Sequence, residues 1–301
     1  MNVIEVENLH FGYRAKTAIL ESLNLSVPEG SIYGFLGANG AGKSTTIRNI
    51  LGLLKPRSGS ICLFGKELKS SVPSVFAEIG ALIESPSLYH HLSGVENLKI
   101  ACKYQRASYT NIENTLARVG LAAEKNKKVK HYSMGMKQRL GLALALIHDP
   151  QLLILDEPIN GLDPSGINEI RDTLLRLRDE GKTILLSSHI LAEVEKIASR
   201  IGIIKDGAMV FEGSLQELEE FKSLGTKLRI QVGHLAKAKN CLENDFHVEA
   251  DPEAMLLEID IDSIEHIPEI VQRLVGCEVK VYEVQPVKKD LEQMFLSIAN
   301  N

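Results

Sequence analysis

The sequence has no apolar run long enough to cross a membrane. A transmembrane helix needs about 20 consecutive apolar residues, and the longest apolar runs, such as LGLALALI at 140–147, are far shorter. The N-terminal stretch MNVIEVENLHFGYR carries acidic residues and lacks the long apolar core of a secretory signal. We therefore expect a soluble chain that would act at a membrane only through a separate partner.

Cysteine is scarce and scattered along the chain. Cys62, Cys102, Cys241 and Cys277 form no C-x-x-C pair and have no histidine at the spacing of a zinc site. Isolated cysteines of this kind are typical of a reducing compartment.

An excess of positive charge is also missing. The net charge is −5 at pH 7, which argues against a protein that coats nucleic acid. One basic cluster lies at 125–130, and we interpret it as a solvated loop. We expect no nucleic-acid partner.

The pattern that is present is an alternation of strand-like and helix-like segments over about the first 220 residues. Hydrophobic residues make up 44% of the 301 and charged residues 24%, which are globular values. The alternation indicates an α/β fold with parallel strands. Strands are predicted at 31–37, 60–65, 78–84, 151–157, 182–188 and 200–207. Helices are predicted at 43–54, 135–149, 167–180 and 190–199.

The pattern changes near residue 225. We predict strands at 227–232, 246–251, 254–260 and 278–285, and helices at 235–244, 263–276 and 288–298. The order strand, helix, two strands, helix, strand is that of a small split-βαβ α+β domain, followed here by a last helix. The sequence therefore predicts a large domain over 1–222 and a small accessory domain over 225–301.

The segment Gly37–Ser44, GANGAGKS, matches the phosphate-loop motif G-x-x-x-x-G-K-[ST] at every fixed position. It follows a predicted strand and opens a predicted helix, which is the context that the motif requires. The backbone N–H groups and the helix N-terminus would hold phosphates, Lys43 would neutralise their charge, and Ser44 would bind Mg²⁺. The candidate nucleotide-binding residues are Asn39, Gly40, Ala41, Gly42, Lys43, Ser44 and Thr45.

Two adjacent carboxylates follow the apolar run LLIL at 152–155. Asp156 is expected at the carboxyl edge of a buried strand, where ligands of α/β sheets bind, and would hold Mg²⁺ largely through water. Glu157 would act as the general base or orient the attacking water. A GTPase is disfavoured because the nearest guanine-clamp string, Asn126–Val129, lacks the aspartate.

The string YSMGMKQRL at 132–140 resembles the signature of ATP-binding subunits of ABC transporters. Ser133 and Gly135 match that signature, whereas Met134 and Met136 replace its usual glycine and glutamine. The resemblance covers roughly 2–220 and implies an ABC-type P-loop ATPase fold that uses ATP and Mg²⁺. A serine hydroxyl and N–H groups at a helix N-terminus could still hold a γ-phosphate.

Three further motifs occur in the order of that family. Asn160–Asp163 resembles the D-loop, and His189 the switch histidine that would contact the γ-phosphate. Tyr13 is the candidate for stacking on adenine, with His10 and Phe11 as close rivals.

The resemblance also implies partners. Two such domains pair head to tail, so that Ser133, Gly135 and Asp163 of one copy would face ATP held by the phosphate loop of the other. A separate integral membrane permease would hold the ATPase at the cytoplasmic face of the membrane. Hydrolysis would proceed by positioning and charge neutralisation.

Glu84 stands where the family usually has a glutamine that contacts Mg²⁺ or the attacking water. A carboxylate can ligate Mg²⁺ but cannot donate a hydrogen bond as an amide does. We hypothesise that Glu84 contributes to catalysis and metal binding and couples nucleotide state to the permease. The adjoining segment 85–91 is then the expected permease-facing surface.

Three functions remain open on the sequence alone. The favoured one is the ATP-hydrolysing motor of an exporter, and the motifs resemble a subgroup involved in resistance to bacitracin and lantibiotics. A non-transport ATPase of the ribosome-acting or assembly-factor type is the alternative. A regulatory module without turnover is the third, and the intact set Lys43, Asp156, Glu157 and His189 argues against it.

Overall fold

The computed structural model describes residues 1–14, 17–68, 74–218, 226–243, 245–252, 254–261 and 263–287. The chain divides into two compact units, 1–215 and 216–301. The boundary predicted between 222 and 225 and the helix predicted at 288–298 lie outside the described residues.

The centre of the first unit is a six-stranded sheet in which five strands are parallel and the edge strand β10 is antiparallel to its neighbour. The order across the sheet is β10-β9-β3-β8-β7-β6. Its strands are β3 (Ile32–Leu36), β6 (Ile79–Leu82), β7 (Leu152–Leu155), β8 (Thr183–Ser188), β9 (Arg200–Lys205) and β10 (Ala208–Ser214). The parallel α/β fold predicted from the sequence is confirmed.

A second, antiparallel sheet in this unit was not predicted. It has the order β2-β1-β4-β5 and consists of β1 (Asn2–Phe11), β2 (Leu20–Pro28), β4 (Ser58–Leu63) and β5 (Lys66–Glu67). The predicted strand at 60–65 therefore belongs to this antiparallel sheet.

Helices of the first unit connect these strands. They are α1 (Lys43–Ile50), α2 (Gly94–Gln105), α3 (Asn111–Arg118), α4 (Met134–Leu146), α5 (Pro164–Asp179) and α6 (Leu191–Val194). The helix predicted at 190–199 is wrong in extent: α6 is one turn long, and an i→i+3 bond from Ile197 N to Val194 O at 3.0 Å follows it.

One apolar core joins the two sheets and α1. Leu25 of β2, Phe35 of β3, Ile47 of α1 and Ile154 of β7 are each at most 1% exposed within it. This packing fixes α1 and the loop before it against the carboxyl edge of the parallel sheet.

Over residues 226–287 as described, the second unit contains a four-stranded antiparallel sheet and the helices between its strands. Its elements are β11 (Thr226–Val232), α7 (Leu235–Leu242), β12 (Val248–Asp251), β13 (Leu256–Ile261), α8 (His266–Gly276) and β14 (Val281–Val287). The sheet order β12-β13-β11-β14 places the third strand between the first two in the chain, as in a split βαβ unit. The predicted order of elements over this region is confirmed.

Cys241 of α7 and Cys277, which follows α8, form a disulfide. The sequence-based description of these cysteines as isolated is therefore wrong, because packing of α7 beside α8 brings together residues 36 positions apart. In the described part of the chain, no helix combines the length and apolarity that crossing a membrane requires.

Candidate active site

The phosphate loop joins β3 to α1 in a conformation that needs glycine. Gly40 and Gly42 have φ angles of 88° and 113°, in a region that side chains rarely adopt. A Cβ on Gly42 would also lie 2.8 Å from Cδ2 of Leu20. Ala38, Asn39 and Gly40 are exposed, so the loop is open to a ligand at the N-terminus of α1.

Lys43 is the first residue of α1, and its ammonium group folds back over the loop. Nζ donates hydrogen bonds to the carbonyl oxygens of Gly37 at 2.7 Å and Ala38 at 3.2 Å. It also lies 3.2 Å from Oε1 of Glu157. The side chain is 5% exposed, so its positive charge is buried beside the carbonyl groups of the loop.

Glu157 lies beside both Lys43 and His189. Its Oε2 is 2.9 Å from Nδ1 of His189, and its φ of 50° is unusual for a residue with a Cβ. Its buried Oε1 makes no hydrogen bond within the described residues and faces the ammonium group of Lys43. The structure thus brings together Lys43, Glu157 and His189 as the sequence predicts.

Asp156 directly follows β7 and is 2% exposed. Its Oδ1 accepts a hydrogen bond from Oγ of Ser187 at 2.5 Å. Ser44, which with Asp156 and Glu84 is a predicted magnesium ligand, is half-buried in the first turn of α1. A carboxylate and a hydroxyl are oxygen donors of the kind that Mg²⁺ prefers, and this pair fits a hydrated Mg²⁺. The described residues contain no cluster of three acidic, histidine or cysteine side chains that would hold a metal by themselves.

Glu84 follows β6 with a φ of 59°. Its carboxylate forms an ion pair with Arg48 on α1, and its side chain is 66% exposed. The structure therefore places Glu84 against the helix that carries Lys43, with a basic partner that the sequence did not indicate.

The signature-like segment begins α4. Ser133 is the N-cap, and its Oγ accepts a hydrogen bond from Met136 N at 3.2 Å. Met134 is 58% exposed and covers Gly161, where an added Cβ would lie 2.8 Å from Met134 Cε. Within the described residues, no hydrogen bond or ion pair joins Ser133 or Gly135 to the phosphate loop.

Asp163 begins α5. Its Oδ1 accepts a hydrogen bond from Gly166 N at 3.0 Å, and Pro164 occupies the first helical position. The structure thus gives this D-loop residue the task of capping a helix.

Of the three aromatic candidates near the N-terminus, Tyr13 is the exposed one, at 58%. Phe11 is 6% exposed and packs its ring edge-on against Tyr13 at 5.0 Å between centroids. His10 contacts Oγ of Ser22 at 3.0 Å. Tyr13 is therefore the most exposed of the three candidates.

Two neighbours of the site were missed by sequence reasoning, Ser187 and Arg48. Ser187 belongs to the SSH string that identified His189, but its contact with Asp156 depends on the pairing of β7 with β8. Arg48 lies one and a half turns beyond Lys43 on α1, and no local pattern connects it to Glu84. A correct prediction of the strand order would have revealed the first.

A strand, a glycine-rich loop and a helix that begins with lysine, in a sheet where another strand is followed by a buried aspartate, define a P-loop nucleoside triphosphatase. The comparisons with known proteins give the family. A family profile described as "ABC transporter" matches residues 20–160. The chain is 45% identical over 248 residues to the bacitracin transport ATP-binding protein BcrA of Enterococcus faecalis, covering 82% of this chain and 80% of that protein.

Two further proteins show the same likeness. The lantibiotic transport ATP-binding protein SrtF of Streptococcus pyogenes is 42% identical, over 74% of this chain and 95% of that protein. A solved structure of an ATP-binding subunit of an ABC transporter superposes with a TM-score of 0.64 at 32% identity, over 72% of this chain and 92% of that one. This chain belongs to the family of ABC transporter ATP-binding proteins, and it is an ATPase.

Proposed function

We propose that this ATPase drives a separate membrane permease that exports a peptide antibiotic of the bacitracin or lantibiotic class. The observation that carries the proposal is the 45% identity over 248 residues to a bacitracin transport ATP-binding protein. The likeness to a lantibiotic transport ATP-binding protein supports the same substrate class. Both relatives are named for transport, so the non-transport alternative has no support.

At the site, the open N-terminus of α1 and Lys43 would hold the β- and γ-phosphates of ATP. Ser44 and, through water, Asp156 would hold Mg²⁺, whose charge would neutralise the phosphates, and Glu84 would join them once it leaves Arg48. Tyr13 would stack on the adenine through its exposed ring.

Glu157 would take the proton from the attacking water as the γ-phosphoryl group leaves. Oε1 of Glu157, which faces Lys43, would be the acceptor for that water, and the contact with Nδ1 of His189 at 2.9 Å would keep the carboxylate in place. His189 is 34% exposed and would reach the γ-phosphate with its other ring nitrogen.

A second copy of the chain would complete the site. Ser133 and Gly135 open α4, and Met134 lies exposed beside the Asn160–Asp163 loop, so that both segments present one surface. The N-terminus of α4 would receive the γ-phosphate that the other copy holds.

The segment 85–91 would contact the permease. Ser85, Ser87, Tyr89, His90 and His91 are exposed, whereas the backbone at Tyr89 is held by hydrogen bonds. The buried Asn97 accepts a hydrogen bond from Tyr89 N at 2.9 Å and donates one to Tyr89 O at 3.2 Å. A rigid backbone with outward side chains suits a docking surface, because little conformational entropy is lost on binding.

Photo-crosslinking tests the partner. In a Glu157→Gln background with Mg-ATP, a photoreactive phenylalanine analogue at Tyr89 should crosslink to an integral membrane protein. Tyr282 of β14 is 65% exposed and serves as the matched control position. Crosslinks from Tyr89 to ribosomal or soluble proteins alone would contradict the permease proposal.

The substrate class has its own test. Expressing the chain in a sensitive host, together with the permease identified by crosslinking, should raise the inhibitory concentration of bacitracin or a lantibiotic. The Glu157→Gln chain should not do so. If the host expressing the wild-type chain keeps the same sensitivity to these antibiotics, peptide-antibiotic export is excluded, but the assignment of ATPase activity is not affected.

A further inference from the structure

Ser187 joins two residues of the site, because it hydrogen-bonds the carboxylate of Asp156 and the backbone of Glu157. It is fully buried near the end of β8. Its Oγ donates a hydrogen bond to Oδ1 of Asp156 at 2.5 Å and accepts one from the backbone N–H of Glu157 at 2.9 Å. A serine hydroxyl has a single hydrogen, and here it points to Asp156.

The pairing of strands makes this contact. In the parallel pair β7–β8, Leu155 lies opposite Leu186, so the next residues, Asp156 and Ser187, are neighbours at the carboxyl edge of the sheet. Side chains alternate between the two faces of a strand, and those of Asp156 and Ser187 therefore emerge on the same face. The hydroxyl is consequently within reach of the carboxylate without any loop to position it.

The hydrogen bond fixes how Asp156 presents itself. An ionised carboxylate only accepts hydrogen bonds, and the bond from Ser187 occupies Oδ1. Oδ2 is then the oxygen that would serve a hydrated Mg²⁺. Because a hydrogen bond to a charged group in a buried place is stronger than one between neutral groups, the carboxylate is held in one rotamer.

The second hydrogen bond acts on Glu157. Its φ of 50° lies in the left-handed region, which is unfavourable for a residue with a Cβ. The bond from its N–H to Ser187 Oγ stabilises that backbone at the point where the side chain turns to Lys43 and His189. Without the acceptor, the buried N–H would lack this partner, and Glu157 would be free to relax.

We propose that Ser187 is a positioning residue that sets Asp156 for Mg²⁺ and Glu157 for the attacking water. This inference rests on the roles proposed above for Asp156 and Glu157. Ser187 acts through these two residues and takes no part in bond making.

The test compares Ser187→Ala with Ser188→Ala. Ser188 is the neighbouring residue, equally buried, and its Oγ accepts only the local N–H of Ile190 at 3.0 Å among the hydrogen bonds described for it. Both variants lose one hydroxyl from the same strand. Ser187→Thr keeps the hydroxyl in a residue that strands favour, and Ser187→Cys keeps the size with a weaker donor.

Ser187→Ala should lower kcat by about tenfold, the order expected for one hydrogen bond to a charged group. The Mg²⁺ concentration that gives half-maximal rate should rise severalfold. Binding of a fluorescent ATP analogue in EDTA should stay within about twofold, because the phosphate loop is untouched. Ser187→Thr should recover most of the rate, and Ser187→Cys should fall between.

Three results would overturn the inference. One is a wild-type kcat and Mg²⁺ requirement in Ser187→Ala. Another is an equal loss of kcat in Ser188→Ala. The third is a loss of kcat in Ser187→Ala that Ser187→Thr and Ser187→Cys show to the same extent, with the same fall in thermal midpoint in all three variants. Asp156→Asn and Glu157→Gln distinguish a failure of the proposed site from a failure of the Ser187 role. Full turnover in these two variants would refute the proposed site. If they are inactive and Ser187→Ala has normal turnover, the Ser187 role alone is refuted.

Discussion

Glu84 and Arg48 form an ion pair at the rim of the site, with side chains 66% and 31% exposed. Exposed pairs contribute about 0–1 kcal/mol because water screens them and both side chains lose freedom. The pair is therefore weak enough to exchange for another contact. Under the proposed role, Glu84 would stay with Arg48 in one nucleotide state and turn to Mg²⁺ in another.

Replacing Glu84 with glutamine tests this exchange. Glu84→Gln should change the free energy of unfolding by less than about 1 kcal/mol and leave ATP binding largely intact. It should lower the ATPase rate that the permease stimulates, because the amide lacks the charge that pairs with Arg48 and Mg²⁺. Nucleotide titration and ATPase assays with and without the permease measure the two effects.

Arg48→Ala is the companion variant, since it frees Glu84 without altering it. A Glu84→Ala chain with unchanged basal and permease-dependent rates would show that Glu84 has no coupling role.

At this scale, the sequence identified the residues that carry charge but only part of their surroundings. Lys43, Glu157 and His189 meet as expected, since the motifs specify positions at the ends of parallel strands. Ser187 and Arg48 were missed because their contacts depend on strand order and on where α1 packs, and neither is written in a local pattern.

Among the elements, the antiparallel sheet of β1, β2, β4 and β5 shows why the periodicity of apolar residues alone does not predict strands and their pairing. The alternation in β1 is interrupted by register shifts between Val6 and Leu9 and between Leu9 and Phe11, and Asn8 has a φ of 46°. An irregular strand loses its twofold pattern, and no short pattern tells whether a strand will pair parallel or antiparallel.

The helix predicted at 190–199 failed for a related reason. Val194 and Ala198 have helical spacing and are both buried, and each would meet a Cβ added to Gly34. One turn of helix followed by a turn satisfies that contact as well as a continuous helix. Apolar spacing fixes which residues are buried, but the length of the helix depends on the fit to β3.

The cap of α5 gives a prediction for this element. Asp163→Ala removes the acceptor for Gly166 N and should destabilise the start of α5 by about 1 kcal/mol. Asp163→Asn keeps an acceptor and should retain most of that stability. Hydrogen exchange of the amides in α5, followed in the full chain, measures the effect.

The asparagine variant also separates two roles of Asp163. If Asp163→Asn keeps the exchange rates of α5 but loses ATP-dependent dimerisation, the charge serves the second copy and the oxygen serves the helix. Equal exchange in the alanine and wild-type chains would contradict the capping role.

For the whole molecule, the second unit is held by its own core and by one covalent link. Leu228, Ile230 and Leu257 of the sheet and Leu274 of α8 are fully buried together, while Cys241 and Cys277 join the helical layer. Small domains with limited cores gain most from such a link.

Removing the link should loosen the second unit and leave the first unchanged. Cys277→Ser should lower the free energy of opening of α7 and α8 by about 2–4 kcal/mol. Hydrogen exchange of the full chain, with β7 as an internal reference, provides the measurement. Cys62→Ser, in the first unit, is the control for loss of a thiol, and a wild-type chain whose exchange is indifferent to reducing agent would contradict the effect.

The contacts of Lys43 give the binding of ATP a particular character. Its ammonium group already has two carbonyl oxygens and a carboxylate around it, so an arriving phosphate replaces anions and dipoles that the protein itself supplies. The affinity for ATP then depends on how strongly Lys43 binds the phosphate oxygens relative to the oxygen atoms of the protein that it already contacts. Glu157→Gln removes the negative charge that pairs with Lys43, and it also removes the general base proposed for the attacking water. Tighter retention of nucleotide and slower turnover in that chain would thus have two separate physical origins in a single substitution.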